Sequence, residues 1–365
     1  MNCVYCFNNR RTHEKKKVMT IDTVKKVFSS TIPYYKKIKF IWHGGEPLSM
    51  GIDFYKEIIN LQKSMNKYGT EITNSIQSNL TLLDEEFASF LVSNNFKIGG
   101  SFDGTTNELT RHNTAKILSG RDFILNAGGS VGFICVVQSK NVDYLIEDYC
   151  WFKEHKINYT INPYLSDLNY ENDELFVPSE HYIKRICSFF DFWQKDKECN
   201  INISFFNDYI DYILFGIKKL CCYNSCLGKH VGIHYNGDIY NCNRNFSEDL
   251  CYGNIYDCND IRECFNSPGF EAMLKHAITR RNWCKDNCEI YDFCSGGCNS
   301  CSQASGNLSK INPYVCDITQ SVYNHIEKRL KEITINDLDN INPYLSDKIR
   351  KYYSGSFAGA NNSTE

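Results

Sequence analysis

Thirteen of the nineteen cysteines of this 365-residue chain lie between Cys221 and Cys316. A stretch so rich in thiols has to fold around something besides apolar side chains. Disulfides would serve in a secreted protein, but no secretory h-region follows Met1 and no apolar run approaches the roughly 20 residues of a membrane span. The expected location is the cytoplasm, where a reducing environment turns dense cysteine toward metal or cluster ligation. Only four cysteines (Cys135, Cys150, Cys187 and Cys199) fall between Cys6 and Cys221, so the clustering is not a general tolerance for cysteine. The net charge of −3, with Lys and Glu intermixed, excludes the basic signature of a nucleic-acid binder or a membrane-surface protein. The length suffices for one large or two ordinary domains.

From about residue 20 to 165 the pattern changes. Short β-branched runs at Ile38–Trp42, Glu71–Gln77, Lys97–Phe102, Val131–Val137 and Ile157–Ile161 alternate with amphipathic stretches. These stretches predict helices over Ile21–Ser30, Asp53–Asn66, Asp84–Asn94, about Leu109–Asn126 and Val142–His155. Thr20 and the Thr81–Asp84 segment stand where caps are needed. Such alternation builds a parallel sheet with helical crossovers, in which the loops after the strands carry the chemistry. Those loops read His43-Gly44-Gly45, Ser78-Asn79 and Asp103-Gly104. An acidic loop at Ser166–Pro178, helices at about Ser179–Lys195 and Phe205–Lys219, a final helical stretch from Asp317 to Tyr353 and a disordered tail at Ser354–Glu365 complete the expectation. The heptapeptide Ile-Asn-Pro-Tyr-Leu-Ser-Asp occurs at 161–167 and 341–347, but one short match without a period is no repeat architecture.

Cys3-Val4-Tyr5-Cys6 places two cysteines at a spacing that suits zinc, a redox couple or an iron–sulfur cluster. In Trp42-His43-Gly44-Gly45-Glu46-Pro47, two glycines let backbone approach a ligand and Glu46 offers an acceptor for an ammonium group. Together these two segments resemble the radical S-adenosylmethionine (radical SAM) enzymes, which carry a C-x-x-x-C-x-aromatic-C loop and a Gly-Gly-Glu-Pro loop. The resemblance implies that Cys3 and Cys6 ligate a 4Fe–4S cluster and that Tyr5 packs on adenine. It further implies that Gly44, Gly45 and Glu46 hold the amino group of S-adenosylmethionine. Asn79 and Ser101 stand at the next strand ends, Ser101 near the ribose or carboxylate, and Arg111 is the candidate partner of the cofactor carboxylate. The family's first loop cysteine would lie four positions before Cys3, ahead of Met1, and its first strand is likewise missing. A misassigned start or a gene fragment is therefore expected, and the chain as written is expected to hold its two auxiliary clusters better than its catalytic one.

Cys226, ten residues, Gly237, four residues, Cys242, then Cys284-x3-Cys288-x5-Cys294-x3-Cys298 and Cys316 resemble the SPASM domain of radical enzymes that modify peptides. By that resemblance one auxiliary 4Fe–4S cluster uses Cys226, Cys242, Cys298 and Cys222 (or Cys221), and a second uses Cys284, Cys288, Cys294 and Cys316. A pair of four-cysteine zinc sites would also use eight cysteines, but would leave the Gly-Gly-Glu-Pro loop unexplained. Asn236-Gly237 predicts a type I′ hairpin turn. Cys251, Cys258, Cys264 and Cys301 are left without a role. His43 is read as positioning its loop, and His230 and His234 as surface or packing residues.

The expected architecture is α/β: a partial (β/α)6 TIM-like barrel over 1–165, a helical connection over 166–220, a SPASM domain over 221–330, and a C-terminal helix and tail over 331–365. The implied chemistry is hydrogen abstraction from a peptide or protein by a 5′-deoxyadenosyl radical, with a reductant such as flavodoxin or ferredoxin. In relatives that convert a sulfatase cysteine or serine to formylglycine, an aspartate follows the cysteine of the Gly-x4-Cys element. Here Asn243 stands there, and an amide cannot take up a proton. Maturation of a ribosomal peptide by thioether or carbon cross-linking is therefore the leading expectation, with a separate leader-peptide recognition protein as a possible partner. Sulfatase maturation and an inert cluster- or zinc-binding relative are the alternatives.

Overall fold

Five parallel strands in sequential order form the frame of the N-terminal region in the computed structural model. The structure describes residues 3–6, 17–165, 173–224, 226–244 and 247–355. Most of the expected acidic loop (166–172) and the tail from 356 onward lie outside these residues.

The chain enters through α1 (Ile21–Thr31), where Thr20 accepts from the Thr23 amide at 3.1 Å and Val24, Val27 and Phe28 form the buried stripe. Then follow β1 (Lys37–Trp42), α2 (Gly51–Met65), β2 (Glu71–Ser78), α3 (Glu85–Ser93) and β3 (Lys97–Ser101). Next come α4 (Asn107–Thr110), α5 (Thr114–Asn126), β4 (Val131–Val137), α6 (Leu145–Glu154) and β5 (Tyr159–Pro163). Each strand pairs with the next in parallel, so every crossover steps the same way and the sheet forms a partial barrel. Asp84 caps α3 by accepting from the Phe87 amide at 2.8 Å, as its position suggests. A buried amide pair locks α2 to β2: Asn74 Nδ2 donates to Gln62 Oε1 at 2.8 Å, and Gln62 Nε2 donates back at 3.1 Å.

One expected helix is broken. The stretch from Leu109 to Asn126 splits because His112 and Asn113 both take left-handed backbone, with φ of 64° and 58°. The break turns Arg111 toward the strand ends instead of along a helix face. Asn107 holds the turn, accepting from the Asp103 amide (3.1 Å) and donating to Thr114 Oγ1 (2.9 Å).

Helices α7 (Ser179–Trp193) and α8 (Ser204–Phe215) follow, α8 stopping short of its expected end because Gly216 adopts φ 70° and its N–H turns back to the Tyr212 carbonyl (2.8 Å). The cysteine-rich region has little regular structure: a hairpin of β6 (Gly232–Ile233) and β7 (Ile239–Tyr240), the long helix α9 (Pro268–Asn287), and the short α10 (Tyr291–Cys294) and α11 (Asn299–Ala304). The hairpin turn differs from expectation. Of the Asn-Gly pair only Gly237 has positive φ (91°), and His234 N–H reaches the Asp238 carbonyl at 2.9 Å. This closes a three-residue loop with a left-handed glycine rather than a type I′ turn, which needs both residues positive. Helix α12 (Pro313–Glu332) packs on α7, where Asp191 accepts from Arg329 Nε (2.8 Å) and meets His325 Nε2 (2.8 Å). The expected final stretch is interrupted before α13 (Pro343–Tyr353), which Asn342 caps by accepting from the Tyr344 amide at 2.9 Å. No helix among the described residues is long and apolar enough to cross a membrane.

Candidate active site

The strand ends converge on Asp103, a fully buried carboxylate just beyond β3. Its Oδ2 accepts from Tyr5 Oη and from Thr110 Oγ1 (2.7 Å), while its Oδ1 accepts from Arg111 Nε (3.1 Å) and the Val136 amide (3.0 Å). A buried charge is stable only when paired and hydrogen-bonded, and this one takes four donors from three separate segments. Arg111 lies over the Tyr5 ring at 5.0 Å, and its Nη1 stands 4.0 Å from Cys3 Sγ. The Cys3–Cys6 loop is further pinned where the Val4 amide donates to the Thr110 carbonyl at 2.9 Å. Burial pushes the Cys3 thiol up in pKa, and the Arg111 charge pulls the other way. Burial also raises the Tyr5 phenol, and Asp103 adds to the rise, so Tyr5 stays a neutral donor.

Glu46 leads the second side of the site. Its Oε1 accepts from Ser78 Oγ (2.7 Å) and the Leu48 amide (3.1 Å), and its Oε2 from the Asn79 amide (3.0 Å). A carboxylate has about four acceptor positions, so this one is held in place with capacity left for an ammonium group. Gly44 has φ 140°, and a Cβ on either Gly44 or Gly45 would meet nothing within 4 Å, so both border open space. Asn79 Oδ1 is taken by Thr81 N (2.9 Å) and Oγ1 (2.6 Å), and Ser101 Oγ accepts from Gln77 Nε2 (3.1 Å).

His43 connects this rim to the cysteine-rich region. Its Nδ1 lies 2.9 Å from Asn243 Nδ2, and Asn243 Oδ1 lies 3.3 Å from Cys242 Sγ. The protein around the ring, and then the Arg244 charge, hold the His43 pKa down to about 4. The imidazole is therefore neutral at pH 7, with Nδ1 able to accept from the Asn243 amide.

The influence of one C-terminal thiol on another falls mostly within two sets, with Cys294 also acting on Cys222 across them. Cys221, Cys222, Cys226, Cys242, Cys298 and Cys301 act on one another, and Cys284, Cys288, Cys294 and Cys316 do the same. Burial raises Cys294 to about 12 and Cys316 to about 11, with neighbouring thiols adding to it. Cys298 is drawn down instead, chiefly because the Cys301 thiol donates to it. Among the described residues no three His, Cys, Asp or Glu side chains converge tightly enough to hold a single metal ion. A four-iron cube seats each thiolate on a separate iron, so its ligands stand farther apart than those around one ion. Cys251, Cys258 and Cys264 lie outside both sets, whereas Cys301, unassigned from spacing, lies inside the first.

The structure thus brings Cys3, Tyr5 and Arg111 together and gathers Glu46 with Asn79, while Ser101 sits beside Gln77. Sequence reading missed Asp103 as the centre. Its only signal was an acid followed by glycine at a strand end, which also describes many plain turns.

Residues 1–149 match the model of the radical SAM superfamily. The cysteine-type anaerobic sulfatase-maturating enzyme of Clostridium perfringens is 25% identical over 357 residues, covering 92% of this chain and 95% of that protein. The serine-type enzyme of Bacteroides thetaiotaomicron is 26% identical over 364 residues, covering 89% and 86%. The structure of native anSMEcpe with bound AdoMet and Cp18Cys peptide matches with a TM-score of 0.82 at 25% identity, over 91% of this chain and 94% of that one.

Proposed function

From the radical SAM domain that this chain carries, we propose an enzyme that oxidises a cysteine or serine side chain of a protein substrate to formylglycine. The supporting observation is similarity to sulfatase-maturating enzymes of both the cysteine and the serine type along nearly the whole chain. This reading displaces peptide cross-linking from the leading position it holds on sequence alone.

When bound, a reduced 4Fe–4S cluster and S-adenosylmethionine supply a 5′-deoxyadenosyl radical that abstracts hydrogen. Cys3 and Cys6 are assigned two thiolates of that cluster. Glu46 would take the cofactor ammonium with Gly44 and Gly45 giving it room. Arg111 would turn its remaining N–H groups to the carboxylate, and Ser101 and Asn79 would line the nucleoside side. Asp103 keeps Arg111 and Tyr5 in register for these roles. Cys226, Cys242, Cys298 and Cys222 or Cys221 are assigned to one auxiliary cluster, and Cys284, Cys288, Cys294 and Cys316 to the other. A flavodoxin or ferredoxin would deliver electrons.

Asn243 favours the second reading, peptide cross-linking. At the position where maturase relatives place an aspartate, an amide paired with a neutral His43 offers no carboxylate to take the substrate proton. The test is anaerobic turnover of the reconstituted protein with a short peptide bearing a central cysteine or serine. An aldehyde captured by a hydrazide probe is expected. A peptide that loses two hydrogens and gives no aldehyde would replace this reading with cross-linking.

A further inference from the structure

Arg280 is the second-largest fully buried side chain of the described residues, with 1% of its surface exposed. It projects from α9 into the loops that carry the C-terminal cysteines. Its Nε donates to the Gly296 carbonyl (2.8 Å), its Nη1 to the Leu308 carbonyl and its Nη2 to Asn299 Oδ1. All three acceptors are neutral. By contrast, Arg111 pairs with Asp103 and Arg329 with Asp191. Among the described residues Arg280 forms no ion pair with an Asp or Glu, and the titratable groups that act on it most strongly are Arg281 and the thiols of Cys298, Cys284 and Cys294. A guanidinium keeps its charge in proteins, and a buried, uncompensated charge is strongly unfavourable.

The three thiols belong to both cysteine sets: Cys298 to the first, Cys284 and Cys294 to the second. Gly296 and Asn299, which Arg280 grips, flank Cys298 and follow Cys294 in sequence. We propose that Arg280 is the built-in counter-charge of the two auxiliary iron–sulfur sites, offsetting thiolate-bound clusters on either side and raising their reduction potentials. The proposal rests on the reading that these two cysteine sets bind clusters. An electron added to either cluster increases its negative charge, so a fixed positive charge nearby stabilises the reduced form. Arg280 thereby makes both clusters easier to reduce than the same ligands would in a neutral setting. The three hydrogen bonds keep the charge at one place beside Gly296, Leu308 and Asn299, where a flexible lysine would be held less firmly.

The test compares wild-type protein with Arg280→Gln and Arg280→Lys, each reconstituted anaerobically, by iron content and by redox titration followed with electron paramagnetic resonance. In Arg280→Gln both auxiliary potentials are expected to move more negative, while Arg280→Lys stays near wild type. Loss of auxiliary clusters in Arg280→Gln with retention in Arg280→Lys also supports the counter-charge. Wild-type potentials in a fully loaded Arg280→Gln would overturn it. So would equal shifts or equal iron loss in both variants, which would make the hydrogen-bond frame the cause. If wild-type protein takes up no auxiliary iron, the underlying cluster reading fails instead, and the iron count separates the two outcomes.

Discussion

The rim of the partial barrel and the cysteine-rich region handle charge in opposite ways. At the rim the chain supplies its own partners: Asp103 collects four donors and Glu46 three. In the cysteine-rich region a buried arginine meets no acid, and thiols crowd one another until burial and mutual repulsion raise most of them. The first site stands at the ends of five parallel strands, with its carboxylates paired to donors from the chain itself. The second has a hairpin of two-residue strands, the long helix α9 and short helices, and on the proposed reading clusters bound by its thiols would complete it. Preorganised rims suit the orientation of a reactive cofactor, whereas ligand-completed regions couple folding to binding.

The largest way to break this comparison is to strip the metal. Removing iron from reconstituted protein is expected to expose amides across 221–316 to hydrogen exchange while the strands at 37–163 stay protected. Equal loss in both regions, or none in either, would dissolve the distinction. Single ligands sharpen it: Cys294→Ala should lower iron by about four atoms per chain, and Cys258→Ala should leave the count unchanged, as read by iron assay. At the rim, Asp103→Ala strands Arg111 and the Tyr5 hydroxyl, and is expected to cost about 3–5 kcal/mol in denaturant unfolding. Asp103→Asn should cost less and still weaken S-adenosylmethionine binding.

A pH-dependent effect concerns Asp148, whose Oδ1 accepts from Thr105 N and Oγ1 (both 2.7 Å) while Oδ2 is buried without a partner. Burial raises its pKa from 3.8 to about 7, against the pull of Thr105. A carboxyl raised on folding favours the fold when protonated, so its contribution is full below about pH 4 and is lost as pH rises through 7. That loss is at most ~1.4 kcal/mol per pH unit. Asp148→Asn should therefore gain on wild type in melting temperature at pH 8 and show no gain at pH 4. A gain that is the same at both pH values would place the effect elsewhere.

Much of this was legible in order along the chain, because strand–helix alternation and cysteine spacing are local patterns. The strand starts at Glu71, Lys97 and Val131 follow from β-branched runs bounded by turn residues. Asp103 was not legible as a hub, since its donors Tyr5 and Val136 lie 98 positions before and 33 after it. Nor was Arg280, whose meaning is a missing acid rather than a present motif. The heptapeptide shared by 161–167 and 341–347 shows the limit directly. Ile161-Asn162-Pro163 ends β5 at the sheet edge, where a proline's absent N–H is tolerated, while Asn342-Pro343 caps and opens α13. Identical residues take different structures because β4 pairs with one copy and the Trp193 carbonyl receives Asn342 Nδ2 (3.1 Å) in the other.

The reaction proposed for this chain is hydrogen abstraction from a peptide side chain by a radical from S-adenosylmethionine. The direct measurement is anaerobic turnover of the protein expressed from its own gene, with a peptide deuterated at the β-carbon of its target cysteine. Mass spectrometry of the 5′-deoxyadenosine released should find one deuterium transferred from the peptide. Release of 5′-deoxyadenosine without deuterium, or no release above a Cys3→Ala, Cys6→Ala control, would contradict the account.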